Sequence, residues 1–166
     1  MTDYRLACIV EIPMGSRNKY EYDPELGAIK LDRFISASVV YPTDYGYIPD
    51  TLAPDGDALD VLVCVSEPTF PGCLVPVRPI GLFCMTDEKG TDDKVVCVPV
   101  HDPRWNIYHD IEELPKQLRD EIHHFFTVYK DLDDDRHSEP AGWQGRAEAQ
   151  REIAEAQERH RAQARS

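Results

Sequence analysis

Short β-rich runs crowd the first hundred residues of this chain and restrict what it can become. They fall at 6–12, 28–31, 34–40, 59–65, 73–85 and 94–100, with clusters of Pro, Gly and Asp between them. Strand-length runs at this spacing predict a β-barrel or a β-sandwich. Pro76 and Pro79 interrupt the fifth run. That run is expected to be an edge strand or a bent one, because proline has no N–H to give to a ladder. The sequence is 166 residues long and 42% apolar. This is about the length of one ordinary domain. No internal repeat or linker divides it, so residues 1–166 are expected to form a single domain with a real core.

Helical periodicity begins after residue 110. Leu114, Leu118, Ile122, Phe125, Phe126 and Tyr129 recur at the spacing of one helix face, which predicts a helix over about 114–130. Pro115 suits its first turn, and Glu112 and Glu113 stand near the positive end of the dipole. A second helix is expected over about 146–165. Its inner face is mostly alanine, so it should dock weakly and fray at its end, although Glu155 and Arg159 form a favourable pair four residues apart. Residues 131–140 are polar and acidic and read as a surface loop. The fold class is therefore α+β, mainly β.

Acids outnumber bases 31 to 18, a formal net charge of −13. That balance argues against nucleic-acid or anionic-membrane partners, which need a basic face. Residues 143–166 carry five Arg and four Glu, so the acid excess belongs to the β body. No apolar run approaches the ~18 residues of a membrane-spanning helix. The opening Met-Thr-Asp-Tyr-Arg lacks the charged and apolar regions of a signal peptide. The cysteines, Cys8, Cys64, Cys73, Cys84 and Cys97, are odd in number and contain no Cys-x-x-Cys pair. They read as reduced, buried thiols in the cytoplasm, not as a disulfide frame or a zinc site.

The densest chemistry lies in Asp55-Gly-Asp-Ala-Leu-Asp60, a turn that leads into an apolar strand. Two unit charges ~4 Å apart repel by about 4 kcal/mol at an effective dielectric near 20. Such a turn either points its acids into water or fills the space between them with a divalent cation, which carboxylate oxygens favour. A second acidic turn, Asp87-Glu-Lys-Gly-Thr-Asp-Asp93, follows Met85, and Glu11 and Glu21 interrupt or end N-terminal runs. Glu11 either faces solvent through strand alternation or lines a polar cavity. Asp92 and Asp93 are adjacent and point opposite ways in extended chain, so one of them is expected in a shared site. The candidate ligands are all oxygen. No Cys or His pair has zinc spacing. The segment from Asp55 puts its third acid where a calcium loop needs glycine, and the segment from Asp131 lacks that loop's glycine and closing glutamate. By elimination, magnesium or manganese is favoured.

Bases and phenols lie beside these acids: Arg17 and Lys19 before Glu21, Arg33 after Asp32, the tyrosines Tyr41, Tyr45 and Tyr47, Lys94, and Tyr129 with Lys130 at the end of the first helix. Each has a plain structural explanation. Arg33 could be a surface ion pair, Tyr129 a core residue and Lys130 a helix-end charge. Together they supply donors for phosphate oxygens beside ligands for hard cations. That combination describes in-line phosphoryl transfer to water. It also explains how an acidic protein attracts a polyanion, since the cations held by the acids draw it in. No phosphate-binding Gly-rich loop and no Gly-x-Ser-x-Gly elbow is present.

The segments Glu11-Ile-Pro13, Asn18-Lys-Tyr-Glu21, Asp32-Arg-Phe34, Tyr41-Pro-Thr-Asp-Tyr-Gly-Tyr47, Asp55-Gly-Asp-Ala-Leu-Asp60, Asp87 through Lys94 and His124-Phe-Phe-Thr-Val-Tyr-Lys-Asp-Leu132 resemble the motifs of the soluble family I inorganic pyrophosphatases in their shorter bacterial form. The resemblance runs from Ile9 to Leu132, and the Lys19-Tyr-Glu21 and Asp102-Pro-Arg-Trp105 wording is closest to actinobacterial members. It implies a five-stranded OB-like β-barrel with outer helices and a site at the barrel mouth. It also implies magnesium-dependent hydrolysis of pyrophosphate to two phosphates, with several ions per site and manganese as an alternative metal. By position, Asp55, Asp60 and Asp92 correspond to ligands of the tightly held ions, with Asp60 shared. Asp87 and Glu11 would hold further ions, and Glu21 and Lys94 would support them. Lys19, Arg33, Tyr45, Tyr129 and Lys130 would contact phosphate. Asp57 would be the general base, with Asp92 as the rival assignment. Bacterial forms of this kind are usually hexamers. A non-catalytic ion- or phosphate-binding homologue, or a hydrolase of another phosphoanhydride, is the alternative. One stretch departs: after Leu132 the family usually has a Gly-Lys turn and a short apolar strand, where this chain has Asp133-Asp-Asp-Arg-His-Ser-Glu-Pro140. The departure calls into question the last strand and any basic group that it supplies.

Overall fold

The computed structural model describes residues 6–166. In chain order its elements are β1 (Leu6–Ile12), β2 (Asn18–Asp23), β3 (Ala28–Phe34), β4 (Asp44–Ile48), β5 (Leu59–Val63), β6 (Leu74–Asp87), β7 (Gly90–Thr91), β8 (Lys94–Pro99), a 3-10 turn (Ile111–Glu113), α1 (Lys116–Val128), β9 (Ser138–Gly145) and α2 (Arg146–Arg165). Strands β1, β4, β5, β8 and β6 pair in that order, and β6 pairs back to β1, so five strands close into a ring. All the ring ladders are antiparallel except β5 with β8. Closure removes the unpaired sheet edges that invite association. The β2–β3 hairpin is a separate two-stranded sheet.

The ring strands carry apolar side chains on both faces. Val61 and Val63 of β5, with Val95 and Cys97 of β8, join Cys8, Val10 and Val77 in one cluster. Leu62, Val96 and Val98 point the other way, into a second cluster with Phe83, Phe125 and Phe126. Period-two alternation separates the two sets. The α1 stripe fills the second cluster, with Ile122, Phe125 and Phe126 buried and Phe126 5.4 Å from the Phe83 ring. Burial of such side chains contributes about 1.5–3 kcal/mol each.

Several expectations are corrected. The fifth run is bent but is not an edge: β6 pairs with β1, β8, β7 and β9. Its prolines sit where the ladder tolerates them, with Pro79 at the register shift before Gly81. The strand expected over 34–40 is absent. The backbone leaves the hairpin after Phe34 so that Ile35 and Ala37 can enter the core. The β4 strand falls outside the expected runs because Asp44 and Gly46, both poor strand formers, break up Tyr45, Tyr47 and Ile48. Gly46 is nonetheless required there, since a Cβ would overlap the Ile9 carbonyl.

The first helix is shorter than 114–130, starting after Pro115 and ending before Tyr129. Glu113 belongs to the preceding 3-10 turn. Its carboxylate accepts from the N–H of Asp110 (2.6 Å) and His109 (2.8 Å), completing a capping box with Asp110. The second helix has the expected bounds but docks more firmly than its alanine face suggests. Ala149, Ile153 and Ala156 are buried, and the Leu52 N–H donates to the Ala156 carbonyl at 2.9 Å. Arg159 lies 3.9 Å from its expected partner Glu155 and closer, at 2.7 Å, to Glu152 and to the Leu52 carbonyl. The loop reading of 131–140 fails at its end, because Ser138 begins β9. Seven registered pairs with β6 and the Trp143 ring 4.8 Å from Phe83 hold that strand without an apolar run. All five cysteines are free; Cys8, Cys64 and Cys97 are buried, while Cys73 and Cys84 are only half-buried.

Candidate active site

One cleft of about 840 Å³ runs between the ring, the β2–β3 hairpin and the end of α1. Every residue given a role by the family resemblance lines it: Glu11, Lys19, Glu21, Arg33, Tyr45, Asp55, Asp57, Asp60, Asp87, Asp92, Lys94, Tyr129 and Lys130. Arg17 does not; its guanidinium donates to the Ile35 carbonyl at 3.1 Å. Strand alternation explains several of these placements. Glu11 lies between buried Val10 and Ile12, and Asp60 between buried Leu59 and Val61, so both carboxylates leave the core face. Asp92 and Asp93 diverge as extended chain requires. Asp92 enters the cleft, while Asp93 accepts from the Met85 N–H at 3.1 Å.

The hairpin brings its charges in together. Lys19 pairs with Arg33 in its register. The Lys19 ammonium lies 3.1 Å and the Arg33 Nε 3.0 Å from Asp32 Oδ2. Burial alone would raise the Asp32 pKa, but these two cations outweigh it and lower it. The Tyr22 N–H donates to Glu11 Oε2 at 2.8 Å, tying the hairpin to β1. Before β5, the Asp57 N–H donates to Asp55 Oδ1 at 3.0 Å across Gly56, whose φ of +94° favours glycine. This turn presents three aspartates within six residues.

Lys94 is the central cation. It is only 2% exposed, and its Nζ lies 3.0 Å from Asp60 Oδ2, 3.2 Å from Asp92 Oδ1 and 3.0 Å from the Tyr45 hydroxyl. Burial favours its neutral form, but Asp60 and Asp92 outweigh that and hold it charged. Lys130, at the end of α1, reaches Asp87 Oδ2 (3.5 Å) and Glu88 Oε2 (3.2 Å). Burial raises the pKa of Tyr45 and Tyr129, so both remain O–H donors at neutral pH. Glu11 is pushed up to about 7, mainly by burial and then by the charges of Asp60 and Glu21, against the Tyr22 hydrogen bond. Partial desolvation within the cleft and the neighbouring Asp55 likewise raise Asp57, although the residue is exposed.

Among the described residues, no three His, Cys, Asp or Glu side chains stand close enough to hold a metal as they are arranged. The donor set still fits a hard divalent cation. Asp55, Asp60, Asp87, Asp92 and Glu11 all present carboxylate oxygens to one cleft. An ammonium between Asp60 and Asp92 shows that this position stabilises positive charge.

The cleft also contains residues that the sequence reading did not select, among them Glu88, Lys89 and Arg136. Glu88 and Lys89 lie inside a recognised acidic turn, which was the available signal. Arg136 lies in the departing segment 133–140. That segment therefore brings a basic side chain to the cleft, and the strand that it called into question is β9.

A sequence model of the inorganic pyrophosphatase family matches residues 8–161. The chain belongs to the inorganic pyrophosphatase family. Relatives of that name include one from Streptomyces coelicolor, 54% identical over 154 residues (93% of this chain, 94% of the relative), and one from Methanosarcina mazei, 48% identical over 161 residues (96% and 95%). Among solved structures, the inorganic pyrophosphatase from Thermus thermophilus matches with a TM-score of 0.93 at 44% identity, covering 97% of this chain and 94% of that one. The pyrophosphatase match extends past Leu132, where the motif resemblance stops, and takes in β9 and most of α2. The ring of five strands is thus the OB-like fold of this family.

Proposed function

We propose that this chain hydrolyses inorganic pyrophosphate to two orthophosphates. The observation that carries the reading is the convergence of five cation-ligand carboxylates and five phosphate donors on one cleft in a pyrophosphatase-family fold. Asp55, Asp60 and Asp92 would hold the tightly bound ions, and Asp87 and Glu11 further ones, with Glu21 and Lys94 in support. Magnesium is the proposed metal, several ions per site, and manganese the alternative. Bound hard cations neutralise phosphate charge and make a nearby water easier to deprotonate.

The protein groups do the rest. Asp57 accepts the proton of the attacking water through a hydrogen bond, and its raised proton affinity suits that task. Its rival Asp92 has an oxygen already engaged 3.2 Å from the Lys94 ammonium. The water oxygen bonds to one phosphorus, the bridging P–O bond breaks, and the departing phosphate takes the electron pair. Lys19, Arg33, Tyr45, Tyr129 and Lys130 donate to the phosphoryl oxygens and stabilise that charge.

The same reading makes the protein a single-domain, cytoplasmic homo-oligomer, a hexamer, with no nucleic-acid or membrane partner. The net charge of −13 supports the lack of a nucleic-acid or anionic-membrane partner, and the free thiols support a reducing compartment. No helix of the described residues is long and apolar enough to cross a membrane. Exposed Leu31, Phe34, Val40 and Phe70 provide apolar surface for subunit contacts. The deciding experiment is phosphate release from pyrophosphate with and without magnesium or manganese, beside tripolyphosphate and a nucleoside triphosphate. Metal-dependent turnover that prefers pyrophosphate is expected. Absence of turnover with either metal overturns the reading, and preference for another anhydride replaces the substrate.

A further inference from the structure

Lys89 is a cleft residue that the proposed reaction leaves unused. It occupies the two-residue turn between β6 and β7, whose ladder closes on Asp87 opposite Gly90. Its backbone N–H donates to Asp87 Oδ1 at 2.8 Å. Gly90 follows at φ +111°, which returns the chain into β7 without side-chain strain. The turn is fixed from a second side as well. Glu88 Oε2 lies 3.2 Å from Lys130 Nζ. The acid of the turn is therefore neutralised, while the base beside it has no counter-charge among the described residues.

The other cleft bases are mostly engaged. Lys19 and Arg33 share Asp32, Lys94 lies between Asp60 and Asp92, and Lys130 between Asp87 and Glu88. Lys89 lines the same cleft, is exposed, and has no ion-pair partner among the described residues. Arg136 shares these properties, but three aspartates precede it in its own segment and also line the cleft. Lys89 and Asp57 line the same cleft, so the turn opens onto the place where the chemistry is proposed.

An uncompensated cation on the rim has a specific value in a chain of net charge −13, which otherwise repels a polyanion. We infer that Lys89 captures the substrate, its ammonium binding phosphoryl oxygens of pyrophosphate at the exposed edge of the cleft. This rests on the hydrolysis reading and adds to it a residue that governs substrate affinity and the response to salt.

The test is steady-state kinetics of the full chain carrying Lys89→Ala, Lys89→Glu or Lys89→Arg, in excess magnesium over a range of ionic strength. In Lys89→Ala the KM for pyrophosphate should rise about threefold to tenfold with kcat within about twofold, and kcat/KM should fall less steeply with salt. Lys89→Glu should raise KM further, and Lys89→Arg should restore it. Thermal midpoints equal to wild type would separate these effects from folding. KM and salt slope unchanged in both Lys89→Ala and Lys89→Glu overturn the inference, as does a fall in kcat at constant KM. If wild type itself does not turn over, the hydrolysis reading fails instead. Calorimetric titration of wild type and Lys89→Ala with pyrophosphate then decides capture: weaker binding by the variant supports it and equal binding overturns it.

Discussion

The Nζ of Lys94 lies 3.0 Å from Oδ2 of Asp60, and a third charge, Asp92 Oδ1, lies 3.2 Å from the same ammonium. Two carboxylates thus meet around a lysine that solvent scarcely reaches. Removing one partner of a buried ion pair costs about 3–5 kcal/mol, chiefly because the remaining charge is left uncompensated. Asp60 and Asp92 keep some contact with water, so Lys94→Met should destabilise the metal-free protein by about 3 kcal/mol. Excess magnesium should recover part of that loss through binding to the native state. Urea denaturation with and without the metal checks both parts.

Glu11 should tie stability to pH. Its carboxyl ionises near 7 in the native protein, against an ordinary value of 4.5. Between those values the native state holds more protons than the unfolded one, so this group makes stability fall as pH rises from about 4.5 to about 7. Glu11→Gln should flatten that decline. Urea midpoints of wild type and variant across this window, measured on metal-free protein, are the check. Equal slopes would refute the assignment.

Asp57 is exposed and makes its hydrogen bonds, to Asp55 and Ala53, through its backbone. Asp57→Asn should leave stability within about 0.5 kcal/mol of wild type and leave cation binding by calorimetry intact. Its kcat should fall about 10²- to 10⁴-fold, the usual worth of a general base. A near-normal kcat would move that role to Asp92 or to solvent.

Asp44 offers a structural contrast. It is fully buried and does not line the cleft. Its carboxylate accepts from the Met14 N–H (2.8 Å), the Thr69 N–H (3.2 Å) and the Thr69 hydroxyl (2.6 Å), joining two loops to the start of β4. Asp44→Ala leaves these donors without their partner and should cost about 3 kcal/mol. The fraction that folds should keep the wild-type KM. Thermal unfolding and kinetics at low temperature together test this.

Patterns contained within one segment were legible. The apolar stripe of α1, Leu118 to Phe126, and the bounds of α2 follow from helical period, and both helices form. The acids and donors of the cleft were recognisable because their chemistry travels with the residue type. Elements held by partners elsewhere were not legible. Nothing in Asp44-Tyr-Gly-Tyr-Ile48 or Ser138-Glu-Pro-Ala-Gly-Trp-Gln-Gly145 resembles an apolar strand. Both become strands because neighbouring backbones present matching N–H and C=O groups, from β1 and β5 for β4 and from β6 for β9. The prolines of β6 misdirected the reading in the opposite sense. A proline marks a missing donor, but it does not say which side of the strand can dispense with one.

The sequence by itself determined the mainly-β composition, the two helices, and an inventory of hard-oxygen ligands and phosphate donors. Only the tertiary structure decided how those charges are shared. Asp60 and Lys94 are 34 residues apart, and Asp87 and Lys130 are 43. Their pairing depends on ring closure and on where α1 ends. It also decided that Lys89 is left without a counter-charge among the described residues, because Glu88 turns to Lys130. Local periodicity reports which face of an element is apolar. Electrostatic pairing depends on distances of a few ångströms between side chains, and those distances exist only once the chain has folded.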